Sequence, residues 1–218
     1  MKLSLVIFSL LVSIVAFGQK EQEALDILKA VEKKGLAYKS IKSNIEYLLE
    51  NSHEQSNEKV KGTILIKGKK FRLDVDNTIT FCDGKNKWVY LIESNETNLT
   101  EVFYDEDIEP EERFMNDPLS VYSLYKKGFK YKVTGDATFE NKKYTVIDLT
   151  PESLDKPYFK IRYWFSQSND IYAVKYFQKD GMRITLTFLE FESNLKLKDE
   201  VFTFKESEYP EVEIIDLR

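Results

Sequence analysis

The chain has 218 residues, with 32 Lys or Arg against 37 Asp or Glu, one histidine and one cysteine, and a net charge of −5 at neutral pH. Acidic charge spread along the chain predicts no basic face for phosphate, which argues against a nucleic-acid binder. The single Cys82 rules out an internal disulfide and reads as a small buried hydrophobe.

Lys2, the apolar run from Leu3 to Val15 and the small residues of Ala16-Phe17-Gly18 read as a signal peptide at residues 1–18, cut after Gly18. The run is shorter than the roughly 20 apolar residues that span a bilayer. What remains, residues 19–218, has 218 − 18 = 200 residues and a charge of 31 − 37 = −6. That length suits one domain with a sizeable core, here expected to be exported and soluble.

A helix follows, because Ala24, Ile27, Leu28 and Val31 fall on one apolar stripe, with Gly35 weakening its end. Ile41, Ile45, Tyr47 and Leu49 alternate with polar residues and predict a half-buried strand. Val60 to Lys67 is its partner, and Phe71, Leu73 and Val75 face one way on the next strand. Ile79 and Phe81 before Asp83-Gly84, and Trp88, Tyr90 and Ile92 after it, make a hairpin covered with large aromatics. A further strand is expected near Leu99 to Tyr104.

The acidic segment Asp105 to Glu112 is too charged for a strand and reads as a solvated face. Asp117 before Pro118 starts a short greasy helix bearing Leu119, Val121, Tyr122, Leu124 and Tyr125, with Gly128 as its stop. Strands resume at Tyr131–Thr134, Tyr144–Thr150, Phe159–Phe165, Ile171–Phe177 and Ile184–Phe191, and the chain ends on an extended segment after Phe202-Thr-Phe204. So many strands at short spacing predict an antiparallel meander that curls strongly.

These residues resemble the LolA family of periplasmic lipoprotein carriers. The resemblance rests on the helix-then-strand opening, Gly62 before the strand to Phe71-Arg-Leu, and Asp83-Gly84-Lys85-Asn-Lys-Trp88-Val-Tyr90. Asn116-Asp-Pro118, Phe202-Thr-Phe204 and the Val212 to Asp216 tail complete it. It implies a mainly β protein with a few helices, a curved, unclosed antiparallel half-barrel of about 11 strands capped by about three helices. Acyl chains of lipoproteins would lie between sheet and lid, taken from an inner-membrane ABC transporter and passed to the outer membrane, to an acceptor there if one is present. The expected carrier is a periplasmic monomer.

Phe71 matches the family's cavity aromatic, Leu73 falls where a tryptophan often sits, and Leu119, Val121 and Tyr122 match lid residues. Ile45, Tyr47, Ile64, Trp88, Tyr90 and Leu28 complete the expected acyl-chain lining. A family arginine thought to help close the lid is replaced by Lys67, which can bond a carbonyl but lacks the planar fork. Arg72 should point away from Phe71. Phe71→Glu is expected to abolish lipoprotein release while leaving the fold intact.

A catalytic role is not expected. His53 sits alone in a polar turn without the cluster a metal site needs, and no nucleophile elbow or phosphate loop is present. No cofactor is implied. The alternative to a carrier is a periplasmic lipid-binding sensor or scaffold on the same fold.

Overall fold

The structure, a computed structural model, describes the backbone of residues 2–103 and 108–218 and the side chains of residues 19–103, 108–110 and 113–218. The side chains of the expected signal peptide, the end of the strand expected to reach Tyr104 and the first acidic residues after it lie outside the described residues.

Helix α1 (Lys2–Ala37) leads into a meander of β1 (Ile41–Asn51), β2 (Ser56–Lys67), β3 (Lys70–Val75), β4 (Thr78–Cys82), β5 (Asn86–Leu91) and β6 (Glu96–Glu101). Helix α2 (Pro110–Asn116) and two 3-10 turns, Pro118–Tyr122 and Leu124–Lys126, separate it from a second meander. That one comprises β7 (Phe129–Phe139), β8 (Lys142–Pro151), β9 (Tyr158–Ser166), β10 (Ile171–Gln178) and β11 (Met182–Ser193). Two more 3-10 turns, Asp199–Phe202 and Glu206–Glu208, precede β12 (Glu213–Asp216).

The two meanders fuse because β11 folds back onto β1, pairing Tyr47 with Leu186 and Ile45 with Phe188. The result is one unclosed 12-stranded sheet in the order β12-β6-β5-β4-β3-β2-β1-β11-β10-β9-β8-β7. Every pairing is antiparallel except β12 on β6, where Ile214 meets Thr97 in parallel. The Asp83-Gly84 turn forms as its chemistry requires: Asp83 Oδ1 accepts from the amides of Lys85 at 2.8 Å and Asn86 at 2.7 Å, while Gly84 takes a φ of 92°.

Strand periodicity sorts the side chains into two faces. Phe71 opposite Cys82 and Leu73 opposite Thr80 define an inner face, and Arg72 opposite Phe81 and Asp74 opposite Ile79 an outer one. Helix α1 and the segment from α2 to Tyr125 cover the inner face and complete its core.

The lid differs from its expected form. Instead of one helix from Asp117 to Gly128, a helix ends at Asn116 and two 3-10 turns follow, broken at Ser123. Pro118 lacks an amide for a continuous ladder, and Leu119, Val121, Tyr122, Leu124 and Tyr125 point too many ways for one α-helical stripe. Asp117 still caps the first turn through Leu119 N at 3.2 Å. Helix α2 grows out of the acidic segment, with Pro110 in its first turn and Arg113 in its last.

Helix α1 is pinned at its C-terminal end. Gly35 is inside the helix, buried against Tyr122, and a Cβ there would sit 2.2 Å from the Tyr122 ring. Lys34 Nζ donates to Asp170 Oδ2 at 2.7 Å and Tyr38 OH to Asp170 Oδ1 at 2.7 Å. Burial alone would raise the Asp170 carboxyl, but hydrogen bonds from Lys34, Tyr38 and Ser168 outweigh it and hold it below the ordinary carboxylate range. A depressed folded value contributes stability above the unfolded pKa of about 4, lost as pH falls through the lower folded value. Asp170→Asn should therefore cost about 1 kcal/mol at neutral pH, since the pair is partly exposed. In urea titrations the gap from the unmodified protein should close as pH drops below about 4; a gap independent of pH would refute the assignment.

Candidate functional site

The inner face of β1–β3 and β8–β11 is apolar and continuous. Ile45, Ile64, Phe71 and Leu73 are buried on the first meander, and Ile147, Leu149, Ile161, Tyr163, Phe165 and Val174 on the second. Side chains of the lid fill it: Phe114 of α2, then Val121, Tyr122, Leu124 and Tyr125. Leu28 of α1 packs into the same core, with Tyr47 and Leu119 partly buried at its margin.

Nine of the twelve residues expected to line an acyl site are thus brought together: Leu28, Ile45, Tyr47, Ile64, Phe71, Leu73, Leu119, Val121 and Tyr122. Lys67, Trp88 and Tyr90 are not among them. Trp88 and Tyr90 pair with Phe81 and Ile79 on the outer face and form a second small core with Phe204, Tyr209 and Val212 of the C-terminal segment. The Tyr90 and Tyr209 rings lie 4.5 Å apart between centroids. Strand alternation explains the error: along β3–β5 the aromatics of the hairpin sit opposite Arg72 and Asp74, one residue out of phase with Phe71 and Leu73.

Lys67 falls on the outer face for the same reason. Its Nζ donates to the Leu197 carbonyl at 2.8 Å and to Asp199 Oδ1 at 2.7 Å, and Lys70 Nζ takes Asp199 Oδ2 at 2.8 Å. The two lysines hold the Asp199 carboxyl down, to about 2. Lys67 does bond a carbonyl, but that of the segment after β11 rather than of the lid.

The lid is tied down elsewhere, by contacts that sequence reading did not predict. Tyr163 OH, buried on β9, donates to the Val121 carbonyl at 2.9 Å, and burial pushes its phenol far above the ordinary range. Tyr125 OH donates to Glu32 Oε2 of α1 at 2.7 Å, and Lys126 pairs with the other Glu32 oxygen. Lys87 Nζ donates to Asn116 Oδ1, and Lys156 Nζ sits 3.3 Å from Glu109 Oε1. Phe114 enters between Tyr47 and Phe188, with ring centroids 6.5 and 6.2 Å away in edge geometries. Among these tethers, Tyr163 is the one that anchors the lid to the centre of the sheet by a buried hydrogen bond.

The interior beneath the lid is filled by side chains. Among the described residues, hollows lie at its margins, such as one of about 430 Å³ between the Glu21–Leu25 turn of α1 and Phe129–Tyr131 and one of about 290 Å³ beside Pro110, Leu124 and Tyr158. Room for a long apolar ligand on the inner face therefore requires the lid to move out. Tyr163→Phe removes the central tether without changing shape and should raise amide exchange over residues 117–126 about tenfold, at a cost of roughly 1 kcal/mol. Unchanged exchange in that segment would show that the hydroxyl does not hold the lid. Among the described residues no cluster of His, Cys, Asp or Glu could hold a metal ion. No helix of the described residues is long and apolar enough to cross a membrane.

The family described as "Outer membrane lipoprotein carrier protein LolA" matches residues 39–205. No curated protein matches. Among solved structures, an uncharacterized conserved protein from Thermus thermophilus shares the fold at 11% identity, with a TM-score of 0.57 over 88% of this chain and 98% of that one. A putative outer membrane lipoprotein-sorting protein domain from Vibrio parahaemolyticus superposes at 12% identity and a TM-score of 0.45, over 84% of this chain and 97% of that one. A LolA superfamily protein from Nitrosomonas europaea does so at 13% identity and a TM-score of 0.43, over 84% and 98%.

Proposed function

Because the chain belongs to the LolA family of outer membrane lipoprotein carrier proteins, we propose that it is a periplasmic carrier of lipoproteins. Their acyl chains are held between the inner face of the sheet and the lid. In this reading residues 1–18 are the export signal, the donor is an inner-membrane ABC transporter, and the cargo goes to the outer membrane. The ligand contacts are Ile45, Ile64, Phe71 and Leu73 from the sheet with Leu119, Val121 and Tyr122 from the lid.

One observation carries the reading: beside helix α1, a broad apolar sheet face is covered by a short, broken segment, the seven-residue α2 and two 3-10 turns. Such a segment belongs to the low-stability end of a fold and can be displaced as a unit. The energetics fit a shuttle. Burying a chain of roughly 15 methylenes gains on the order of 12 kcal/mol relative to water, at about 0.8 kcal/mol each. The competitor is a bilayer, where the chain is already dry, so net transfer turns on small terms such as closing the lid over cargo and releasing its own side chains from the core.

Purified protein incubated with inner-membrane vesicles should release lipoproteins into the supernatant, and mass spectrometry of organic extracts should find acyl chains bound to it. Failure to release any lipoprotein while folded would overturn the reading.

A further inference from the structure

The outer face of the second meander carries a group of side chains that neither core nor lid uses. Around the Phe177 ring of β10 stand Lys160 Nζ at 4.1 Å, Arg183 Cζ at 5.3 Å, Lys175 Nζ at 5.6 Å and Arg162 Cζ at 5.9 Å from the centroid. Arg183 also lies 5.4 Å from the Phe159 ring, and Arg162 6.0 Å from that of Trp164. The register sets them side by side: Lys175 faces Arg162, and Phe177 faces Lys160 on one neighbour and Arg183 on the other. Lys132 of β7, opposite Asp148, adds a fifth cation. Phe159 is 44% exposed.

Among the described residues, the acids on this patch are Asp148, which takes both prongs of Arg162 at 2.6 and 2.8 Å and stands 3.8 Å from Lys160 Nζ, and Glu50, paired with Lys175 and opposite Arg183. Counting those residues gives 5 − 2 = +3, on a chain whose total is −5. Burial, together with the neighbouring charges of Arg162, Arg183 and Lys132, holds the Lys160 ammonium below its ordinary range even though Asp148 pulls the other way. The patch therefore carries uncompensated positive charge next to exposed aromatic surface.

We propose that this outer face of β8–β11 docks an acidic segment of a protein partner, its carboxylates on Lys160 and Arg183 and its apolar side chains on Phe159 and Phe177. Arginine and aromatic side chains are the groups that anchor protein interfaces. The cations lie against the rings instead of extending into solvent: Lys160 is 24% and Arg162 31% exposed. Arg183 is fixed by donating Nη1 to the carbonyls of Gln178 at 2.8 Å and Met182 at 2.7 Å. A preorganised array of this kind suits carboxylates at defined positions. A flat anionic membrane fits less well, because the cations are held against the rings and interleaved with Asp148 and Glu50.

The test is fluorescence anisotropy of a labelled glutamate–tyrosine copolymer titrated with the full protein. Binding is expected at low salt and should weaken about tenfold as salt rises toward 0.5 M, where charge is screened within a few ångströms. A Lys160→Gln/Arg183→Gln double variant, with its fold checked by circular dichroism, should bind about tenfold more weakly, whereas Lys29→Glu/Lys33→Glu on α1 should bind as the unmodified protein does. Absence of binding, or equal loss in both double variants, overturns the proposal. Binding to phosphatidylglycerol vesicles that displaces the copolymer and is lost in the Gln variant would overturn it too, by assigning the face to a membrane.

Discussion

Phe71→Glu is expected to unfold the protein at neutral pH. Phe71 is 2% exposed, with Ile66 and Cys82 as its cross-strand neighbours in the middle of the inner core. Losing the ring leaves a hole worth about 3–5 kcal/mol, and a carboxylate placed there must either stay charged without a partner or bind a proton at further cost. Together these exceed about 5 kcal/mol, close to the whole stability of a domain this size. The sequence alone suggests a lining residue whose charged variant stays folded, but the closed lid makes Phe71 core. Loss of the β signal in circular dichroism is the predicted result; a cooperative melt near that of the unmodified protein would mean the interior is open. Phe71→Leu, which keeps the site apolar, is the variant in which acyl binding can be compared.

Phe114→Ala should separate the lid from the sheet. The ring is 3% exposed and is the part of α2 that reaches between β1 and β11. Truncation of such a phenylalanine costs about 3–5 kcal/mol in a rigid core. Here α2 has only seven residues, so most of the cost should appear as local opening, not global unfolding. Hydrogen exchange over residues 108–126 should rise to near the free-chain rate while β1–β3 amides stay protected, and an environment-sensitive fatty-acyl probe should bind several-fold more tightly because less closing energy opposes entry. Protection lost evenly throughout the sheet would contradict an independent lid.

Much of the fold was legible because its signals are local. Strand alternation at Ile41–Leu49 and Phe71–Val75, the Asp83-Gly84 turn and the stripe Ala24, Leu28 and Val31 each name their element without reference to the rest. Which face of the sheet an aromatic occupies was not legible to the same degree. Trp88 and Tyr90 carry the same alternation as Phe71, but only the register across β3–β5 reveals that they point the other way, onto Phe204 and Tyr209. Lys67 was misplaced for the same reason, because its partners Leu197 and Asp199 come from the far end of the chain.

The lid's fastenings were hidden differently. Tyr163 looks like any core aromatic of β9 until its hydroxyl is found on the Val121 carbonyl. Phe114 stands just past an acidic run whose charges mask it, although Pro110 with acids around it is a readable helix start. Long-range pairings of this kind are set by tertiary geometry, and no spacing in the sequence encodes them.

Under the proposed function, acyl chains enter beneath the lid, onto the inner face. The most direct test is photo-crosslinking of the folded protein with a synthetic diacylated lipopeptide bearing a diazirine at the end of one acyl chain, followed by peptide mapping. Adducts are expected on peptides containing Ile64, Phe71 and Leu73 and on the lid peptide with Phe114 to Tyr122, enhanced by Tyr163→Phe. Adducts confined to the outer-face peptides around Phe81, Tyr90 and Phe204, with the lid and Phe71 unlabelled, would contradict it.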